Sequence, residues 1–211
     1  MNRTAAVERA TRETAVSVTL TVDGTGRTEV NTGIGFLDHL LDTLGRHSGF
    51  DLTIACKGDL RVDDHHSAED CALGLGEALD RALGQRRGIV RFGSAFAPLD
   101  EALARAVVDL SGRPYAAVDL GLGRDVIGGL ACENVSHVLR SLAAAARLTL
   151  HVDVLRGEND HHRAEAAFKA VALALRQAVA CSGSDEVPST KGTLGGPRDP
   201  GTTALLREAD Q

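Results

Sequence analysis

Two short blocks hold the residues best suited to chemistry. Asp64-His65-His66-Ser67-Ala68-Glu69 and Asp160-His161-His162-Arg163-Ala164-Glu165 share the pattern Asp-His-His-x-x-Glu. Each is preceded by a lone histidine: His39 stands 26 positions before His65, and His137 stands 24 before His161. On a helix, residues three or four apart share a face while adjacent residues diverge. The spacing therefore predicts that His66 and Glu69 grip one metal together, and likewise His162 and Glu165, with His65 and His161 turned to another. Six histidines and two glutamates suffice for two sites of three imidazoles and one carboxylate. Such a set suits manganese, iron or zinc, and four protein ligands leave an octahedral ion two open positions for substrate.

Other readings compete. Asp64 and Asp160 could be helix N-caps followed by acidic first turns, which accounts for the aspartates but not for the paired histidines. The order differs from the zincin His-Glu-x-x-His, and it reverses the Glu-x-x-His of di-iron bundles, which require more carboxylates. A metal-storage cage needs only the ligands, so basic residues placed to hold an anionic substrate would argue against it.

The elements that must position these residues also come in duplicate. Val16, Val18, Leu20 and Val22 alternate as in a strand, and Asp23-Gly24-Thr25-Gly26 predicts a hairpin turn. A helix is expected over 34–48, a strand over 50–56 and a helix over 65–84. The order β-β-α-β-α then recurs: 104–110 and 115–120 as a hairpin through Ser111-Gly112-Arg113-Pro114, a helix near 131–146, a strand 148–154 and a helix near 161–181. We read 1–92 as a first half-domain with the metal motif, 93–194 as a second that repeats it, 85–103 as the bridge and 195–211 as a flexible C-terminal tail. The class is α+β with internal duplication.

Composition narrows the function. Eight histidines outnumber all aromatic rings (no Trp, one Tyr, five Phe), and net charge is −6. A nucleic-acid partner is disfavoured on both counts, since stacking needs aromatics and phosphate binding needs basic excess. No apolar run approaches the ~18 residues of a membrane span, the N-terminus lacks the apolar stretch of a signal peptide, and four scattered cysteines suggest reduced thiols. A cytoplasmic protein is expected.

Several motifs together resemble imidazoleglycerol-phosphate dehydratases of histidine biosynthesis. They are Thr32-Gly33-Ile34-Gly35-Phe36-Leu37-Asp38-His39, Asp63-Asp64-His65-His66, Asn159-Asp160-His161-His162, Glu165-Ala166-Ala167-Phe168-Lys169-Ala170 and Pro188-Ser189-Thr190-Lys191-Gly192. The likeness spans about residues 3–194. It implies two sheets flanking a four-helix bundle, and a homo-oligomer of 24 subunits with two manganese ions per active site, iron(II) or zinc being substitutes. It also implies active sites between subunits. One metal would take His39, His66, Glu69 and His161, the other His65, His137, His162 and Glu165. The implied reaction dehydrates imidazoleglycerol phosphate to imidazole acetol phosphate. Metals on both ring nitrogens favour imidazolate, the ring expels the adjacent hydroxyl to give a diazafulvene-like intermediate, and loss of the neighbouring proton gives an enol.

The resemblance also assigns supporting residues. Glu13 matches the acid/base position, though sequence alone reads it as a solvated strand-end carboxylate. His47 is a second candidate, otherwise an exposed helix-end histidine. Arg91, Arg113, Lys169, Ser189 and Lys191 match phosphate-binding positions; each is otherwise a solvated surface polar group. His151 has no role.

Overall fold

The computed structural model describes residues 3–194; the expected tail 195–211 lies outside them. The first half runs β1 (Thr4–Ala10), β2 (Thr14–Thr21), β3 (Thr28–Asn31), α1 (Gly35–Ser48), β4 (Asp51–Gly58) and α2 (His65–Leu83). The second runs β5 (Phe92–Leu99), β6 (Ala102–Asp109), β7 (Tyr115–Asp119), a small ribbon of β8 (Val126–Ile127) and β9 (Leu130–Ala131), then α3 (Cys132–Ala145), β10 (Thr149–Arg156) and α4 (Asp160–Val179). The fold is α+β and duplicated, as expected.

Each half makes one four-stranded sheet, ordered β1-β2-β4-β3 and β5-β6-β10-β7. The two expected hairpins do not form. β4 lies between β2 and β3, antiparallel to one and parallel to the other, and β10 does the same between β6 and β7. The strand after the first helix of each half buries its own alternating residues, Leu52 and Ile54 or Leu150 and Val152, so it takes an interior position. A parallel pair needs a crossover, which α1 and α3 supply. The Asp23–Gly26 turn serves this route: the Asp51 carboxylate accepts from the backbone of Thr25 (2.7 Å) and Arg27 (2.9 Å), steering the chain to the far side of β4.

The first strand of each half escapes the sequence pattern. In β1 burial alternates, but the inward places are Ala5, Val7 and Arg9 and only Val7 is fully buried, so the sequence shows no apolar alternation. β5 lies inside the segment expected to be a bridge. Its large residues, Phe92 and Phe96, face outward, while Gly93 and Ala97 face inward. The inward side must be small because a Cβ on Gly93 would overlap the Ala174 carbonyl of α4.

The four helices form a layer between the sheets. α2 packs on β1, β2 and β4, α4 packs on β5, β6 and β10, and across the layer α1 meets α4 while α2 meets α3. Small residues permit this: α4 buries Ala164, Ala166, Ala167, Ala170, Ala172, Ala174 and Ala178. The halves are also tied by Arg86, whose guanidinium is 2% exposed. It donates to the carbonyls of Ala146 (2.7 Å) and Arg147 (2.9 Å) at the end of α3, and to Asp80 (2.6 Å).

The α2–α3 approach is tightest at Gly76, where an added Cβ would lie 2.6 Å from the Leu142 carbonyl oxygen and 2.7 Å from the Ala145 Cβ. Gly76→Ala would gain about 1 kcal/mol of helix propensity, but overpacking against backbone costs ~1–3 kcal/mol. We expect the clash to win, and the metal-free melting temperature to fall by several degrees. A rise in melting temperature would contradict this tight contact.

Candidate metal centre

The site begins with the two helix starts. Asp63 accepts from the backbone of His65 and Asn159 from that of His161, both at 2.9 Å. These are the residues whose side chains cap the first turns. Asp64 and Asp160, the caps of the competing reading, instead reach out to other segments. Asp64 accepts from the Ala131 backbone (2.6 Å), and Asp160 from those of Gly123 (3.0 Å) and Arg124 (2.8 Å). Asp64 thereby pins the start of α3 to α2 across the halves.

The helix layer then assembles two triads. His39 on α1 meets His161 and Glu165 on α4: Nε2 of His39 is 2.9 Å and Nε2 of His161 3.3 Å from Oε2 of Glu165. His137 on α3 meets His65 and Glu69 on α2, with its Nε2 3.0 Å from Oε1 of Glu69 and its ring stacked on His65 at 4.8 Å. In each triad the donor atoms all lie within 4.8 Å of one another. Two imidazoles and a carboxylate so placed fit a divalent ion.

Within one chain this differs from the expected partition. Glu69 is paired with His65, not His66, and Glu165 with His161, because the i,i+4 pair faces the partner helix. Helix packing also exchanges the lone histidines: His39 goes to the carboxylate of the second half, and His137 to that of the first. His66 and His162 stand edge-on to their neighbours His65 and His161. Their Nδ1 atoms bond Asp59 (3.1 Å) and Glu101 (2.8 Å), which raises the pKa of each ring. His65 bonds Asn134 Oδ1 through Nδ1 at 3.0 Å. A neighbour on Nδ1 orients the ring and leaves Nε2 for a metal.

Glu165 is also joined by Lys169, whose Nζ is 2.7 Å from Oε1. Burial pushes the Glu165 carboxyl up, but hydrogen bonds from Lys169 and His39 outweigh it and hold the pKa at about 2. His47, two turns along α1 from His39, is lowered by burial and then by the Lys169 charge.

Glu13 sits in the β1–β2 turn, 54% exposed, with Oε2 3.8 Å from Nε2 of His66. Asp70 on α2 holds that turn, accepting from Thr14 Oγ1 and from Arg9 Nε (2.7 Å). Sequence reasoning missed Asp70, although it directly follows the first metal block. It missed Asp59, Glu101 and Asn134 as well, since nothing local marks them.

The expected phosphate residues form two groups. Arg91 clasps Asp109 through Nε (2.7 Å) and Nη2 (3.0 Å) and donates to the Pro188 carbonyl (2.8 Å). Arg113 lies 3.9 Å from the same Asp109, and Lys191 donates its backbone N–H to Ser189 Oγ (3.2 Å). Lys169 stands apart from these four. The backbone of Arg91 bonds the carbonyl of Ala178, about 13 Å further along α4 at 1.5 Å per residue.

The fold and the triads define a class: internally duplicated α+β proteins with candidate metal-binding groups drawn from both repeats. Residues 32–175 match the sequence family described as imidazoleglycerol-phosphate dehydratase. The imidazoleglycerol-phosphate dehydratase of Eremothecium gossypii is 64% identical over 165 residues, 78% of this chain and 75% of that protein. That of Komagataella pastoris is 51% identical over 217 aligned positions, 91% and 97% respectively. A Phytophthora nicotianae relative of the same name is 59% identical over 91% of this chain, which spans 42% of its length. The crystal structure of the Staphylococcus aureus enzyme aligns with TM-score 0.76 and 36% identity over 84% of this chain and 99% of that one. The Pyrococcus furiosus structure aligns with TM-score 0.77 and 39% identity over 89% and 100%. The chain belongs to the imidazoleglycerol-phosphate dehydratase family.

The triads predict metal stoichiometry directly. His65→Ala and His161→Ala should each lower bound manganese from about two to about one ion per chain, because each removes one donor of a different triad. His151→Ala, on the outer face of the second sheet, should leave it unchanged. Metal analysis of gel-filtered protein reads the result, and full occupancy in both triad variants would refute the assignment.

Proposed function

We propose that the chain dehydrates imidazoleglycerol phosphate to imidazole acetol phosphate, the step of histidine biosynthesis for which the family is named, at a centre of two divalent ions. The observation that carries this reading is the pair of cross-half triads, His39–His161–Glu165 and His65–Glu69–His137. Manganese is the favoured ion, with iron(II) or zinc as substitutes. His66 and His162 complete the ligand set: each has Nδ1 occupied, Nε2 makes no hydrogen bond, and neither belongs to a triad of its own chain. That arrangement supports a site closed by a second copy of the chain, and with it the homo-oligomer of 24 subunits that the family resemblance implies. The halves 1–92 and 93–194 each contribute to both metals.

Divalent ions held there would act as Lewis acids toward the nitrogens of the substrate ring. The chain's own residues supply the rest. Glu13 moves the side-chain proton through Oε2, beside the ring of His66, and the Asp70–Thr14 contact keeps its turn against α2. His47 is the second proton carrier. Asp109 holds Arg91 and sits beside Arg113, next to the Ser189–Lys191 turn, where the guanidinium groups, a hydroxyl and an ammonium can receive a phosphate. Lys169 stands apart from that group within one chain, so as the further phosphate contact it would act from a second copy of the chain. A storage cage would have no use for the Arg91–Arg113 group. No helix among the described residues is long and apolar enough to cross a membrane. A cytoplasmic setting is part of the proposal and rests on the free thiols of Cys56, Cys71, Cys132 and Cys181.

Manganese-loaded protein given imidazoleglycerol phosphate should form the keto product; no turnover with the metal confirmed bound would sink the reading. Glu13→Gln should lower kcat by about 10²–10⁴ at unchanged manganese content. Loss of metal in that variant, or wild-type kcat, would remove Glu13 from the proton-transfer role.

A further inference from the structure

The duplication gives Glu13 a counterpart. Glu13 immediately precedes β2, and Glu101 immediately precedes β6. Both occupy the turn between the first two strands of their half, and both face the His-His pair that opens the following long helix. The two carboxylates have nevertheless taken different partners. Oε2 of Glu13 lies 3.8 Å from Nε2 of His66, whose Nδ1 is already bonded to Asp59. Oε2 of Glu101 lies 2.8 Å from Nδ1 of His162, and its Oε1 accepts from the backbones of Glu158 (3.1 Å) and Asn159 (2.9 Å). The first half thus uses Asp59 for the ring and leaves Glu13 free. The second half uses Glu101 for both the ring and the start of α4.

We infer that Glu101 is a positioning residue for the metal centre: its two oxygens lock the helix start and hold His162 as the Nδ1–H tautomer, leaving Nε2 as the ligating atom. The inference rests on the proposed role of His162 as a ligand. A carboxylate can only accept, so the imidazole must donate from Nδ1, and the lone pair at Nε2 is then directed outward. The Glu101 and His162 side chains are 36% and 29% exposed. A contact that open adds little to stability, so its effect falls on the orientation and tautomer of one ring.

Glu101→Gln separates the two tasks. The amide oxygen can keep the Glu158 and Asn159 contacts. The amide nitrogen then points at Nδ1 and demands an acceptor, which forces the proton onto Nε2. Titration of metal-free protein with manganese alone, reading free Mn2+ by electron paramagnetic resonance, should show one class of sites weakened about 10- to 100-fold. The metal-free melting temperature should stay within a degree or two of wild type. His162→Ala should weaken the same class at least as much. Wild-type affinity in Glu101→Gln alongside weakened affinity in His162→Ala would overturn the inference and leave the ligand role of His162 intact. Wild-type affinity in His162→Ala would overturn that ligand role. A purely structural Glu101 would give wild-type affinity in Glu101→Gln and a lowered melting temperature in Glu101→Ala.

Discussion

The distance between facing helices governs this molecule. A metal triad needs its donor atoms within a few ångströms, yet the sequence places them far apart: His39 and Glu165 are separated by 126 positions, His137 and Glu69 by 68. Only the contacts α1–α4 and α2–α3 bring them together. Those contacts need small side chains, since interaxial distance follows from what lies between the helices. Gly76 against Ala145 and the alanine-lined face of α4 meet that need.

Much of this was legible from residue order because helical periodicity and repetition are local signals. The four helices and the doubled Asp-His-His-x-x-Glu pattern needed no tertiary information. The misreadings share one origin. β1 buries a single large residue, Val7, and β5 turns its phenylalanines outward, so neither shows an amphipathic alternation. The hairpins were inferred from turn chemistry, but the pairing was decided by which strand had two flanks to fill. The partition of ligands depended on whether i+3 or i+4 faced the partner helix, and one helix cannot settle that.

The surroundings of the eight ligand candidates show what the fold does beyond bringing them near. His65, His66 and His162 each have Nδ1 occupied, by Asn134, Asp59 and Glu101. These partners come from a helix, from the loop after β4 and from a strand turn, so no sequence motif joins them to the histidines they hold. Their common feature is position around the starts of α2 and α4, where Asp63 and Asn159 cap the first turns and Asp64 and Asp160 draw in the neighbouring loops. Backbone and ring are constrained at the same place, which is where a preorganised ligand set has to be built.

Duplication supplies two triads, but the proposed reaction is not symmetric: the substrate has a ring at one end and a phosphate at the other. The residues around the ligands differ accordingly. Lys169, one turn beyond Glu165, corresponds to Leu73 one turn beyond Glu69. Asp70, which holds the Glu13 turn, corresponds to Ala166, and His47 on α1 corresponds to Ala145 on α3. Glu165 therefore carries a lysine partner that Glu69 lacks: the ammonium lies 2.7 Å from Oε1, while His39 and His161 gather at Oε2. The triads are alike in donor type and unlike in local charge. Ligand geometry is set by the helix layer that both halves share, whereas proton transfer and phosphate binding are set by positions one turn away, where the halves have been free to diverge.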